Sequence, residues 1–123
     1  MICLDTNYLI LGLSAGTREA QQLIVWSQAG EVLITPTIAW FEFVCGPVTA
    51  VQINTMRGFL RDIVVFGEPQ VVEAARLFNA VGRKRTLRVD AMVAGSAVVA
   101  RARLATNNRK HFATFAPHGL ELT

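Results

Sequence analysis

The sequence predicts an α/β fold, a parallel sheet with helices on both faces. Three observations carry the prediction. Short apolar runs of strand length recur at Ile2-Cys3-Leu4, Glu31–Thr35, Ile63–Phe66 and Leu104–Thr106, each closed by a turn-former or a helix start. Stretches with apolar residues at helical spacing separate these runs. Strands that alternate with helices build parallel sheets, because each connection must climb back over the sheet to start the next strand in the same direction.

The elements follow in order. Ile2-Cys3-Leu4 runs into Asp5, so the first strand exits on a carboxylate. Tyr8–Leu13 is a short apolar helix stopped at Ser14-Ala15-Gly16, and Thr17 caps a second helix that carries Ala20, Leu23, Ile24 and Ser27 and ends at Gly30. After the strand Glu31–Thr35, Thr35 as cap and Pro36 at the first position start a helix to Cys45. That helix is apolar nearly all round and is expected to be buried. Gly46-Pro47 stops it, and Val48–Leu60 forms another. Beyond the strand Ile63–Phe66, Pro69 opens a helix with Val71, Ala74, Ala75, Phe78 and Val81 on it. The basic loop Arg83–Arg88 leads to a helix from Asp90 to about Arg103. Leu104–Thr106 is a strand, Asn107-Asn108 a turn, Arg109–Phe112 one helical turn, and Leu120–Leu122 a final edge strand.

Composition sets the class. The chain has 123 residues, 52% hydrophobic and 17% charged, which suits one packed domain over 1–123. No apolar run approaches the ~18 residues of a membrane span. The most apolar stretch, Ala91–Ala100, is broken by Gly95 and Ser96, and no basic leader precedes the first strand. These features point to a cytoplasmic protein with no membrane segment. Cys3 and Cys45 lie in apolar surroundings and read as two small buried hydrophobes, with neither a disulfide framework nor a zinc spacing.

The net charge is +3, but it is unevenly placed. Between Arg83 and Lys110 lie Arg83, Lys84, Arg85, Arg88, Arg101, Arg103, Arg109 and Lys110, with Asp90 the single acid. A one-sided basic block suits a polyanion such as nucleic acid, and equally an acidic face of a partner protein.

Three acids stand out by their neighbours. Asp5 ends an apolar strand, Glu42 sits inside Trp40-Phe41-Glu42-Phe43-Val44, and Asp90 heads the apolar Ala91–Ala100 run. An ionised carboxylate in such a setting costs several kcal/mol without a counter-charge. A divalent cation removes that cost, and Mg²⁺ favours a few carboxylates completed by water and substrate phosphate. Asp5 and Asp90 each also fit a plain capping role. Glu42 does not, since no cap explains an acid in mid-helix; its plain reading is a solvent-facing Glu or one paired with an arginine.

Four motifs in order, L-D-T-N-Y-L, W-F-E-F-V-C-G, D-A-M-V-A-G-S-A and L-A-T-N-N-R-K-H-F, resemble those of PIN-domain ribonucleases. The chain is most similar to the small VapC-type toxins of type II toxin–antitoxin systems, over essentially its whole length. The resemblance implies a three-layer α/β/α sandwich with a central parallel sheet of about five strands, and a crevice where the strand order reverses, beside the first strand. It implies Asp5, Glu42 and Asp90 as metal-binding and catalytic acids, Thr106 as a catalytic hydroxyl near the metal, and Thr6, Asn7 and Asn108 as polar residues around it. Asn108 stands where many members carry a fourth acid, which leaves open whether one metal or two are held. His111 falls where many relatives have Asp, and is read as a surface or phosphate contact, not a metal ligand. The implied chemistry is hydrolysis of RNA phosphodiesters with Mg²⁺, or alternatively Mn²⁺, with Arg85, Arg88, Arg109 and Lys110 on the RNA backbone. The implied partners are RNA, a cognate antitoxin protein and a second copy of the chain in a homodimer. A PIN-like module that binds nucleic acid or protein without cutting is the alternative. L-D-T near a strand end also occurs in haloacid-dehalogenase phosphoryl transfer, but Asn7 stands where that chemistry wants a second Asp.

Overall fold

The computed structural model describes residues 1–123. Four short strands, β1 (Ile2–Leu4), β2 (Leu33–Pro36), β3 (Asp62–Val64) and β4 (Arg103–Ala105), form one sheet in the order β3-β2-β1-β4. All pairs are parallel, with Ile2 opposite Leu33 on one side and Arg103 on the other. The helices are α1 (Thr6–Leu11), α2 (Arg18–Gln28), α3 (Thr37–Cys45), α4 (Ala50–Phe59), α5 (Glu68–Ala80), α6 (Arg88–Val99) and the single turn α7 (Arg109–Phe112).

Side-chain alternation splits the core in two. Ile2, Leu4, Leu33 and Ala105 face a cluster built with Leu9, Leu23, Phe43 and Met56 of α1–α4. Cys3, Ile34 and Leu104 face the opposite cluster, built with Leu77, Ala94 and Phe112 of α5–α7. The result is the expected three-layer α/β/α sandwich. Each fully buried Leu or Phe contributes roughly 1.5–3 kcal/mol, so strands this short are held mainly by the two helical layers. No helix is long and apolar enough to cross a membrane.

The sheet has four strands, close to the expected five. The stretch at 120–122 adds only a bridge, Leu104 to Leu122, beside β4. Other local readings change for identifiable reasons. Thr35 does not cap α3: its hydroxyl donates across the sheet to the Leu4 carbonyl at 2.8 Å, and Pro36 takes the cap position. Helix α3 is not buried all round. Ala39 and Phe43 face inward, while Phe41 is 68% exposed and Val44 and Cys45 also face outward. Cys45 is therefore not the buried hydrophobe expected, whereas Cys3 is buried and its thiol pKa is pushed far up by burial, with Asp5 adding to the effect.

Helix α6 begins two residues before Asp90, which lies in its first turn and does not cap it. Helices α5 and α6 make the most extensive helix contact. It depends on Gly95, where a Cβ would meet the Ala74 backbone nitrogen at 2.7 Å.

Strand β1 lies between β2 and β4, and the chain leaves it towards β2 before returning later on the β4 side. The strand order reverses between β1 and β4. Side chains at the carboxyl ends of these two strands project into the gap that the departing connections leave.

Candidate active site

The Asp5 N–H donates to the Ala105 carbonyl at 3.0 Å, which extends the β1–β4 ladder by one residue beyond the strands. That bond fixes Asp5 beside Thr106. Asp5 Oδ2 accepts the Thr106 hydroxyl at 2.8 Å, and Oδ1 accepts the Thr6 N–H at 2.9 Å. The carboxylate is thus both the cap of α1 and one wall of the gap. Its pKa is raised by burial, against the lowering effect of these two hydrogen bonds.

Glu42 reaches the same region from α3. Its pKa is raised by desolvation first, then by the negative charges of Asp5 and Asp90, while the Thr6 hydroxyl draws it partly back. Asp90 comes from the first turn of α6. It too is raised by burial and by Asp5, and is drawn back by His111, whose Nδ1 lies 3.4 Å from Asp90 Oδ2. Three carboxylates far apart in sequence are thus coupled: Asp5 acts on Glu42 and Asp90, and Asp90 acts on Glu42. No lysine or arginine forms an ion pair with any of them.

The donors are not closed into a finished ligand set: no three His, Cys, Asp or Glu side chains converge tightly enough to hold an ion by themselves. The electrostatic coupling and this looseness describe one arrangement. Carboxylates that share a field but stand apart suit a cation that keeps several waters, as Mg²⁺ does. They do not suit a tight all-protein cage. Uncompensated negative charge at the carboxyl ends of the strands fits a divalent ion by its chemistry.

The remaining polar residues differ in placement. Thr106 is buried, and its oxygen also accepts the Asn108 N–H at 3.0 Å, so it links Asp5 to the turn before α7. The Asn108 side-chain Nδ2 lies 3.0 Å from His111 Nδ1. Because Nδ1 also faces Asp90, an N–H there directed at the carboxylate requires Asn108 to turn its amide oxygen inward. His111 therefore belongs to this cluster and is more than a surface residue. Its link to Asn108 is an i,i+3 pair across one helical turn, a spacing visible in the sequence; its contact with Asp90 is not. Asn7 is exposed on α1.

Among the four basic residues expected on the RNA backbone, Arg109 and Lys110 follow Asn108 directly and are exposed. Arg85 is exposed before α6. Arg88 turns away: it lines an apolar hollow between α5 and α6 with Phe66, Val71, Phe78 and Met92. It lies two residues before Asp90, and residues so spaced do not share a helix face.

The largest cavity, about 350 Å³, is not at the carboxylates themselves but adjoins them through Thr106. Of its cationic lining, Arg103 and Arg109 belong to the basic block legible in the sequence, but Arg18 does not, and Arg18 of α2 meets Arg103 of β4 only in the fold.

A model of the PIN domain matches residues 2–116. No curated protein matches the chain in sequence. Several solved structures share the fold. VapBC2 from Rickettsia felis, bound to a DNA fragment from its promoter, has a TM-score of 0.78 at 18% identity, covering 100% of this chain and 98% of that one. A toxin–antitoxin complex from Klebsiella pneumoniae has a TM-score of 0.70 at 28% identity, covering 92% of this chain and 91% of that one. FitAcB from Neisseria gonorrhoeae has a TM-score of 0.70 at 18% identity, covering 100% of this chain and 97% of that one.

Proposed function

The chain belongs to the PIN-domain family, and from that premise we propose that it is a metal-dependent endoribonuclease acting as the VapC-type toxin of a toxin–antitoxin pair. One observation carries the reading: the charge of Asp5 raises the pKa of both Glu42 and Asp90, Asp90 adds to the effect on Glu42, and no lysine or arginine pairs with any of the three.

In this reading these three residues hold Mg²⁺, or Mn²⁺ in its place. When bound, the ion lowers the pKa of a water and neutralises charge that builds on the scissile phosphate. The rest of the work falls to the chain. Thr106 donates to Asp5 and fixes the carboxylate's orientation. Thr6 holds Asp5 through its backbone and steadies Glu42. His111 and Asn108 set the position of Asp90. Arg109 and Lys110 supply positive charge for the RNA backbone, which a rim of carboxylates would otherwise repel.

The antitoxin as partner is supported by the company of VapBC2, FitAcB and toxin–antitoxin structures that share the fold. A homodimer follows from the family resemblance, and exposed Phe41 on α3 leaves apolar surface for it. The alternative, a binding module that does not cut, draws on Asn108, a neutral amide already engaged with His111.

The test is cleavage of RNA with Mg²⁺ by wild type and Asp5→Asn. The reading expects the variant to lose at least about a hundredfold in rate, on the scale of losing one charge-stabilising group. Equal cleavage by both proteins removes the metal role.

A further inference from the structure

We propose that the cavity beside Thr106 is an anion subsite that holds the phosphate and ribose of an RNA nucleotide adjoining the cleavage position. This rests on the ribonuclease reading and adds to it the place where the flanking substrate binds.

The cavity's walls are Tyr8, Arg18, Gln22, Trp26, Arg103 and Arg109, with Thr106 and Thr123 completing them. Three guanidinium groups around one hollow make it cationic. Arg103 is already paired, with Glu31 at 3.2 Å. Arg18 forms no ion pair, and Arg109 gives one N–H to a Thr123 backbone oxygen at 3.0 Å, leaving its other donors open. Burial raises the Tyr8 phenol pKa and Glu19 adds to it, while the charges of Arg18 and Arg109, which line the same cavity, lower it. Two such guanidinium forks suit the oxygens of a phosphate, which accept paired N–H bonds.

The floor is rigid. Tyr8 and Trp26 are buried and stacked, with ring centroids 5.8 Å apart. Gln22 offers a donor and an acceptor to a sugar hydroxyl. The volume of about 350 Å³ falls in the range of small-ligand pockets.

Continuity with the carboxylates decides the ligand class. Thr106 lines the cavity and donates to Asp5, so a chain bound at the acids enters the cavity directly. A nucleic acid there meets negative charge at the point of cleavage and needs positive charge one step along. Arg18 and Arg109 provide it. An isolated acidic side chain would fit the charge alone and leave the sugar-sized remainder and Gln22 unused.

The experiment is nuclear magnetic resonance titration of the full chain with 5′-AMP in the presence of a chelator, so that no divalent ion contributes. The Trp26 indole and Gln22 side-chain amide signals are expected to shift, and Arg18→Gln is expected to weaken binding by about tenfold or more, the loss of a charge-assisted hydrogen bond. Arg18→Lys, which keeps the charge but loses the fork, should weaken it less. Absence of shifts at Trp26 and Gln22, or equal affinity in Arg18→Gln, overturns the proposal. Equal shifts with N-acetylglutamate overturn it too, and assign the cavity to an acidic peptide side chain. The outcome separates from that of the nuclease reading. Full cleavage by Asp5→Asn leaves these shifts standing, while an inactive Asp5→Asn with no shifts removes the subsite alone.

Discussion

At the scale of single residues, Thr106 ties the site together. It donates to Asp5, accepts from the Asn108 backbone, and has no room to turn elsewhere because it is buried. Thr106→Ala should lower RNA cleavage by roughly 10–100-fold, as losses of groups that orient metal ligands do. Thr106→Ser should restore most of it, since the hydroxyl is what the geometry uses. An alanine variant as active as wild type would show that Asp5 needs no such support. Asp5 itself yields a pH prediction. Its pKa is raised in the folded state, so between the ordinary carboxylate value and the raised one the folded chain holds a proton that the unfolded chain has lost. Stability from this group therefore falls as pH rises through that window, and the penalty is complete above it. Asp5→Asn removes the penalty and keeps the cap. In a chelator at pH 7 it should melt higher than wild type, and the difference should shrink as the pH falls to the ordinary carboxylate value. A variant that melts lower at pH 7 contradicts this.

At the scale of elements, the closest approach is between α5 and α6 at Gly95 and Ala74. Gly95→Ala forces the two helices apart against backbone atoms and should cost about 1–3 kcal/mol. Thermal melting measures it, and an unchanged midpoint would mean the helices shift freely. The elements also show what the sequence could and could not convey. Strands β1, β2 and β4 were legible because buried parallel strands are short unbroken apolar runs closed by turn-formers. Helix α3 was misjudged because Trp40–Cys45 is apolar at every position but Glu42, and hydrophobicity alone does not tell a core face from one left outside, as Phe41 is. Asp5, Glu42 and Asp90 were conspicuous because acids among apolar neighbours demand compensation. His111 was not, because its contact with Asp90 joins α7 to α6 and no local pattern signals it. Arg18 stayed hidden for the same reason, reading locally as a solvated surface charge, while Arg103 counted in the basic block but nothing local tied it to Arg18.

At the scale of the whole molecule, topology does the assembling. Placing β4 next to β1 brings Thr106 to Asp5, and the helices that follow β2 and precede β4 carry Glu42 and Asp90 to the same end of the sheet. The carboxylates share a field without forming a closed cage, which is the state a hydrated divalent ion would complete. Calorimetric titration with Mn²⁺ tests this most directly, on wild type and on Glu42→Gln, the acid contributed from the middle of α3. The prediction is one saturable ion per chain, with affinity reduced by about tenfold or more in Glu42→Gln, as loss of a ligand or its support requires. Identical binding isotherms for the two proteins, or no heat from either, would contradict it.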